Sequence, residues 1–338
     1  MSTYSRFFRR QLLFAAVLLA MVSCLPLFGQ SKIEQARAKV DSVLDKRYHK
    51  VSYDTAYIGR PDARLTLKVR ANISGNSSHA RGTLDNEKVK ADFNTDNRAT
   101  LSFNANYKGL SAGISLNPAS LSGRSKDYQF NIRINNTRFT LEAGYQMSKT
   151  LRGNIKVGDF NQKIERGWLN SEVVDIVGYY IFNHRRFSYP AAFTQSYLQK
   201  RSAGSWLAGL SYEGGSMKTA KDAPADIPKT RTYIGHFGVG GGYAYNLVLG
   251  KKWLLHFSTL PTFIVFNFSN ITVDGEREKL HTRFPNMLWD NRLAVVHNIS
   301  EKYFVGATLV MNNTFFNNND VDFYQNKWLT RFFFGVRL

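Results

Sequence analysis

The chain contains a single cysteine, Cys24, and it lies in an apolar stretch near the start. Once that stretch is removed no thiol remains, which excludes a disulfide framework and any cysteine metal site from the body of the protein. Proline is scarce, at 8 of 338 residues, which argues against a linker-rich or disordered chain. Acidic residues are outnumbered 25 to 45, giving a formal charge of +20, yet the Lys and Arg are dispersed and form no nucleic-acid-binding cluster. Long hydrophobic runs are also missing. The longest, Leu12–Val22, has 11 residues, too few for a helix to cross ~30 Å of hydrocarbon.

That run follows Arg6, Arg9 and Arg10 and precedes the small residue Gly29, the layout of a cleaved secretory signal over residues 1–29. Residues 21–24 also resemble an imperfect lipoprotein box that would place a lipid on Cys24. Residues 30–60 read as a periplasmic leader. Within it, Ile33, Val40, Val43 and Leu44 fall near one face of a short amphipathic helix spanning 31–48.

What the chain has in quantity is aromatic residues and glycine. There are 25 Phe, 17 Tyr and 25 Gly, a mixture that suits strands and tight turns. Mean hydropathy is only −0.32, as expected when every second strand residue is wet. From Leu65 the period is two: Leu65, Leu67, Val69, Ala71 and Ile73 alternate with Thr66, Lys68, Arg70 and Asn72. Residues 101–107 repeat the pattern, and 128–135 and 139–147 give it most clearly, separated by the polar turn 136–138. Weaker runs lie at 111–117 and 151–158, and further strands are expected at 175–183, 204–213, 232–248, 252–268, 288–299, 303–315 and 328–338.

Several of the later runs are apolar on both faces, which calls for lipid outside and a packed interior or inserted loop within. Gly238, Gly240, Gly241 and Gly242 are read as relieving curvature or allowing a close internal approach. The fold class is therefore all-β: a transmembrane antiparallel β-barrel over 61–338 of about twelve strands, with ten or fourteen as alternatives. The polar stretches 76–97, 214–231 and 269–287 are expected as rim loops. Trp168, Trp253, Trp289 and Trp328 are expected in interfacial belts, whereas Trp206 equally suits packing of a loop. The final strand ends on Leu338 and is similar to the signal that barrel-insertion machinery reads.

Residues 184–205 form the densest polar cluster, and His184, Arg185, Arg186, Gln195, Tyr197, Gln199, Lys200 and Arg201 are candidates for lumen or ligand-binding groups, with Glu213. The segment is expected to fold inward and knit to Glu142, Glu165, Glu172 and Glu213. Its guanidinium groups suit small anionic solutes, since their planar forks match carboxylate and phosphate oxygens. A sharper reading pairs His184 with Ser188, Ser202 or Ser205 for acyl transfer by a lipid hydrolase, although no spacing enforces the approach. The remaining histidines, His49, His79, His236, His256, His281 and His297, show no metal-ligand spacing, so neither metal nor cofactor is expected.

Residues 54–61 (DTAYIGRP), 187–206 (FSYPAAFTQSYLQKRSAGSW), 238–245 (GVGGGYAY) and 253–258 (WLLHFS) resemble the DUF4421 family of Bacteroidetes outer-membrane proteins. The resemblance implies an outer-membrane barrel and carries no catalytic residue to transfer. Non-enzymatic roles follow as expectations: a narrow or passive pore for small anions, or else a surface receptor or structural anchor meeting an envelope protein. Outer-membrane lipid, lipopolysaccharide and the insertion machinery are the expected partners.

Protein purified from bacterial membranes is expected to begin at Gln30 by mass spectrometry. A chain beginning at a diacylated Cys24 would replace the cleaved signal with a lipid anchor.

Overall fold

The computed structural model describes Ser42 and residues 51–338 apart from 85, 108–109, 122–126, 136, 226, 280–284 and 318–319. The expected signal at 1–29, Cys24, His49, His281 and all but Ser42 of the helix at 31–48 lie outside the described residues. Residues 52–338 form one compact unit.

Among the described residues seventeen strands follow one another in chain order. The first seven are β1 (Ile58–Gly59), β2 (Leu65–Leu84), β3 (Glu87–Asn94), β4 (Arg98–Tyr107), β5 (Leu110–Leu116), β6 (Tyr128–Asn135) and β7 (Phe139–Val157). They are followed by β8 (Phe160–Ile181), β9 (Leu198–Gln199), β10 (Ala203–Thr219), β11 (Thr230–Leu249) and β12 (Trp253–Asn267). The last are β13 (Asn270–Val273), β14 (Glu276–Lys279), β15 (Met287–Asn298), β16 (Tyr303–Asn317) and β17 (Val321–Arg337). Among the residues described from 51 onward, two short helices, α1 (Pro118–Leu121) and α2 (Tyr189–Phe193), sit in connections.

The ladders close. In hydrogen-bonded order, β10, β8, β7, β3, β2, β17, β16, β15, β12 and β11 form a ring, with β11 returning to β10. All the recorded ladders within the ring are antiparallel. At the end carrying Leu65 and Leu338, here the terminal end, the arc between β2 and β7 is filled differently. There β4 pairs with residues 65–74 of β2, β5 pairs with β4, and β6 pairs with β7. Twelve strands thus reach the terminal end and ten form the ring toward the far end. Among the described residues no ladder joins β5 to β6.

The cross-section is inverted relative to a soluble protein. On β2, Leu67, Val69 and Ile73 are exposed, while Thr66, Lys68, Asn72 and Ser74 are buried. β4 exposes Leu101, Phe103 and Tyr107 and buries Arg98, Ser102 and Asn106; β15 exposes Leu293 and Val295 and buries Asp290 and Arg292. A surface of that composition is stable only against hydrocarbon, because every ladder group is already paired and only side chains need solvating.

Each expected run falls on a strand, but 139–147 and 151–158 are one strand, β7, and 175–183 covers the last part of β8, which begins at Phe160. The stretches 76–97, 214–231 and 269–287 are not simple loops, however: β2 and β3 continue as a long hairpin, β10 and β11 run on to Thr219 and from Thr230, and β13 with β14 makes a further hairpin. Beyond the hydrocarbon both faces are wet, so alternation disappears while the backbone ladder persists.

Later strands are apolar on both faces because their inner residues meet an insert. Val177, Tyr179, Leu207, Leu254, Leu260, Val296 and Phe304 pack with Phe187, Tyr189, Ala192 and Phe193 in one buried cluster. The glycine run allows the expected close approach. A Cβ on Gly240 or Gly242 would fall 2.1 or 2.0 Å from a backbone oxygen of β12, and the β11–β12 ladder lapses between Gly240 and Tyr243.

Leu293 faces outward near the middle of β15. Leu293→Arg is expected to cost ~2–4 kcal/mol, the range for a cation at the bilayer midplane. Reversible denaturant unfolding into lipid vesicles measures it.

A plugged lumen as candidate functional site

The connection from β8 to β10, residues 182–202, turns back into the terminal end of the barrel and plugs it. Its centre is α2, begun by Pro190 in the first turn, where a missing N–H is harmless. The helix stops at Gln195, whose φ of 55° is left-handed and disfavoured for a branched backbone. Hydrogen bonds offset that strain: Gln195 Nε2 donates to Ala192 O (2.8 Å), and its Oε1 accepts from Lys68 Nζ (2.8 Å). Lys68 also donates to Thr194 O (3.0 Å), so β2 grips the end of the helix.

A second grip comes from the opposite wall. His256 Nδ1 and Asn246 Oδ1 lie 2.7 Å apart, and Asn246 Nδ2 donates to Ser188 O and Gln199 Oε1, both at 2.9 Å. Gln199 Oε1 also accepts from Ser188 N at 2.9 Å. The Gln199 amide then donates to Arg186 O (2.7 Å), Arg201 O (2.9 Å) and Tyr57 O (3.3 Å). One buried amide therefore joins barrel wall, plug and the strap 52–60, which adds β1 to β9. Burial raises the Tyr189 phenol above its ordinary value, so it stays neutral, 3.2 Å from Ser258 Oγ.

The expected inward fold of 184–205 is found for its middle only. Phe187 through Phe193, Gln195 and Gln199 are buried, whereas Arg185, Arg186, Lys200 and Arg201 stay exposed at the rim. Arg186 meets Asp54 (3.4 Å) and lies 5.0 Å from the Tyr57 ring centre, and Lys200 donates to Thr55 O (3.1 Å). Tyr197 accepts from Arg60 (2.6 Å), and the Arg185 carbonyl accepts from Asp54 N (2.7 Å). None of these cations reaches a lumen acid. A guanidinium keeps its hydration at the rim, where Asp54 and aromatic faces suffice as partners.

The acids are held by the wall. Glu142 pairs with Arg133 (2.7 Å) and Arg292; Arg292 also meets Asp290 (2.7 Å). Glu213 pairs with Lys327 and accepts from Thr314 Oγ1 (3.1 Å), while Asp175 lies 3.7 Å from Lys327. Glu165 is exposed beside Lys163 (2.6 Å). Glu172 lies out of phase with inward Asp175, so it is not a lumen group. Lys68, Arg70, Arg133, Asn246, His256, Asp290, Arg292, Lys327 and Arg331 are lumen groups outside the expected set, although each sits on the wet phase of a strand and is visible there in the sequence.

The histidine–serine pairings do not form. His184 Nδ1 faces only Phe182 O (3.3 Å), Ser205 Oγ serves Asn183 N (2.9 Å) and Ser202 Oγ serves Val248 N (2.9 Å). No group of three His, Cys, Asp or Glu among the described residues is placed to hold a metal. The tryptophans also redistribute: Trp206 is 68% exposed on the outer face and stacks edge-on with Tyr243 at 5.1 Å. Trp168 instead packs toward the cluster of Leu151, Ile164 and Ile227.

A closed antiparallel cylinder, apolar outside and charged within, defines an outer-membrane β-barrel, here one that plugs its own terminal mouth. The chain belongs to the DUF4421 family, described as a domain of unknown function, which matches residues 52–338. No curated protein sequence matches it. Among solved structures it is similar to the outer membrane protease OmpT of Escherichia coli, with a TM-score of 0.47 and 7% identity over 86% of this chain and 100% of that one. It is also similar to OprG of Pseudomonas aeruginosa, with a TM-score of 0.28 and 11% identity over 82% and 97%. A third is the translocator domain of NalP from Neisseria meningitidis, with a TM-score of 0.28 and 9% identity over 94% and 99%.

Gln199→Ala strips partners from Asn246, Ser188 N and three carbonyls at once. At ~1–3 kcal/mol for each buried group left unsatisfied, the plug is expected to loosen while the barrel stays closed. Faster amide exchange confined to 186–201 would register that; unchanged protection would refute the anchoring role.

Proposed function

We propose that the protein is a non-enzymatic, narrow conduit for small anionic solutes across the outer membrane, closed at one mouth by its plug. The reading rests on one observation, the charge of the inner wall. Lys68, Arg70, Arg98, Arg133, Arg292, Lys327, Arg331 and Arg337 lie on the inner face against Asp127, Glu142, Asp175, Glu213 and Asp290. A low-dielectric bore lined by surplus cations favours anions and repels cations.

Apart from the plug, connections at the terminal end are short, as at 250–252 and 299–302; at the far end 85–86, 158–159 and 318–320 are equally short, but 220–229 and 268–286 are long. Long loops belong to the extracellular side, so with 220–229 and 268–286 there the plug closes the barrel from the periplasm. Export by the signal, insertion by the barrel-assembly machinery and contact with lipopolysaccharide follow from that orientation. The dense packing of Phe187, Tyr189 and Phe193 favours a second reading, a non-conducting receptor or anchor.

Planar-bilayer recording separates the two. The intact barrel is expected to pass a small anion-selective current, and replacing 187–196 with a flexible linker should raise it severalfold without reversing selectivity. Cation preference, or silence in both forms, would remove the conduit and leave the anchor.

A further inference from the structure

The inner end of the plug faces a cluster of positive charge that the wall does not neutralise. Lys68 is held by plug carbonyls and Gln195, not by a carboxylate. Arg70 opposes Phe333 and Arg331 opposes Asn72 in the β2–β17 ladder, which makes the two arginines diagonal neighbours on the inner face. Arg133, extending from β6, lies 5.2 Å from the Phe193 ring centre at the end of α2. The nearby carboxylate Glu142 is paired with Arg133 and Arg292 and also attracts Arg331 through space, so its single charge is divided among three arginines, and Asp290 is taken up by Arg292.

That leaves Lys68 and Arg70 without a carboxylate and Arg331 with only a share of Glu142, against repulsion from Arg133, Arg70 and Arg292. Among the described residues the Arg331 side chain makes no hydrogen bond or ion pair, and the Arg70 side chain has only the Asn104 carbonyl. Around them, buried polar atoms lack partners: Arg70 Nε, Arg133 Nε, Asn104 Nδ2 and Thr308 Oγ1. Thr308 stands directly opposite Arg331 across the β16–β17 ladder. Uncompensated cations withdrawn from bulk water repel one another and cost free energy, and unpaired donors add to it. Surplus charge and orphaned donors coincide at one place.

We propose that this place is a binding site for a doubly charged tetrahedral oxyanion of the phosphate type, held by Arg70, Arg331 and Arg133 above the plug, with Asn104 and Thr308 as neutral partners. Guanidinium forks pair with two oxygens at a time, and a dianion offsets most of the surplus. A halide offers no pair of oxygens, and a monocarboxylate leaves more of the charge unmatched. The site deepens the conduit reading and rests on it for access to solute.

The test is isothermal titration of the full barrel in detergent with inorganic phosphate at constant ionic strength, chloride being the background anion. One saturable site is expected, with Kd raised at least tenfold by Arg331→Gln or Arg70→Gln and unchanged by Lys156→Gln on the far-end rim. A phosphate-dependent rise in the Tm of the unmodified barrel, unmatched by chloride, supplies the same answer if a variant fails to fold. Absence of saturable phosphate binding, or undiminished binding in folded Arg331→Gln, overturns the site. Bilayer currents keep the two ideas apart: current without phosphate binding sinks the site and spares the conduit, and binding without current does the reverse.

Discussion

Hydrocarbon offers no hydrogen bonds, so a chain crossing it must pair its own backbone groups completely. The closed antiparallel ring from β10 round to β11 meets that requirement, and the other features of the fold follow from it. With backbone polarity hidden, Leu67, Val69, Leu293 and Val295 can face lipid at no cost. Polar and charged groups are displaced to the interior, where a different problem arises. Buried charge must be matched or hydrated, and the wall answers with shared carboxylates, as where Glu142 serves both Arg133 and Arg292.

The plug resolves the same problem by other means at the terminal mouth. It brings its own apolar core, and the strands around it carry apolar residues on their inner phase to receive it. Its polar backbone ends are met by two side chains from opposite walls, Lys68 and Asn246, with Gln199 distributing hydrogen bonds to three carbonyls. Each fully buried Phe or Tyr contributes about 1.5–3 kcal/mol, and the polar anchors fix where that energy is realised.

The barrel was legible because its signal is local. Alternation in 65–73 or 139–147 reports two media on two sides of one strand, and needs no knowledge of the partner strand. Where both faces meet water the signal fades, which is why the outer parts of β2, β3, β10 and β11 read as loops. The site was half legible. Composition located 184–205, and its burial around Gln195 and Gln199 was implicit in the aromatic residues between them. Which partners the lumen arginines take was not: alternation puts Arg133 on the wet face of β6, but only the ladder pairing β6 with β7 brings it to Glu142. Glu165 and Trp168 were misplaced because the β7–β8 register shifts between Leu151 and Gly153, leaving residues 165–168 of β8 outside the phase that alternation extrapolates, whereas Glu172 was legible as outward from its phase against Asp175.

The exchange of one strand for three along the arc from β2 to β7 has a consequence for the shape of the bore. A ring of more strands has a larger circumference, so the wall broadens toward the end where β4, β5 and β6 enter and narrows where β3 alone spans the gap. The molecule is a tapered vessel with its stopper in the wider neck. Room for the stopper is thus made by three short strands that never touch the far rim, which leaves ten strands alone around the opposite opening.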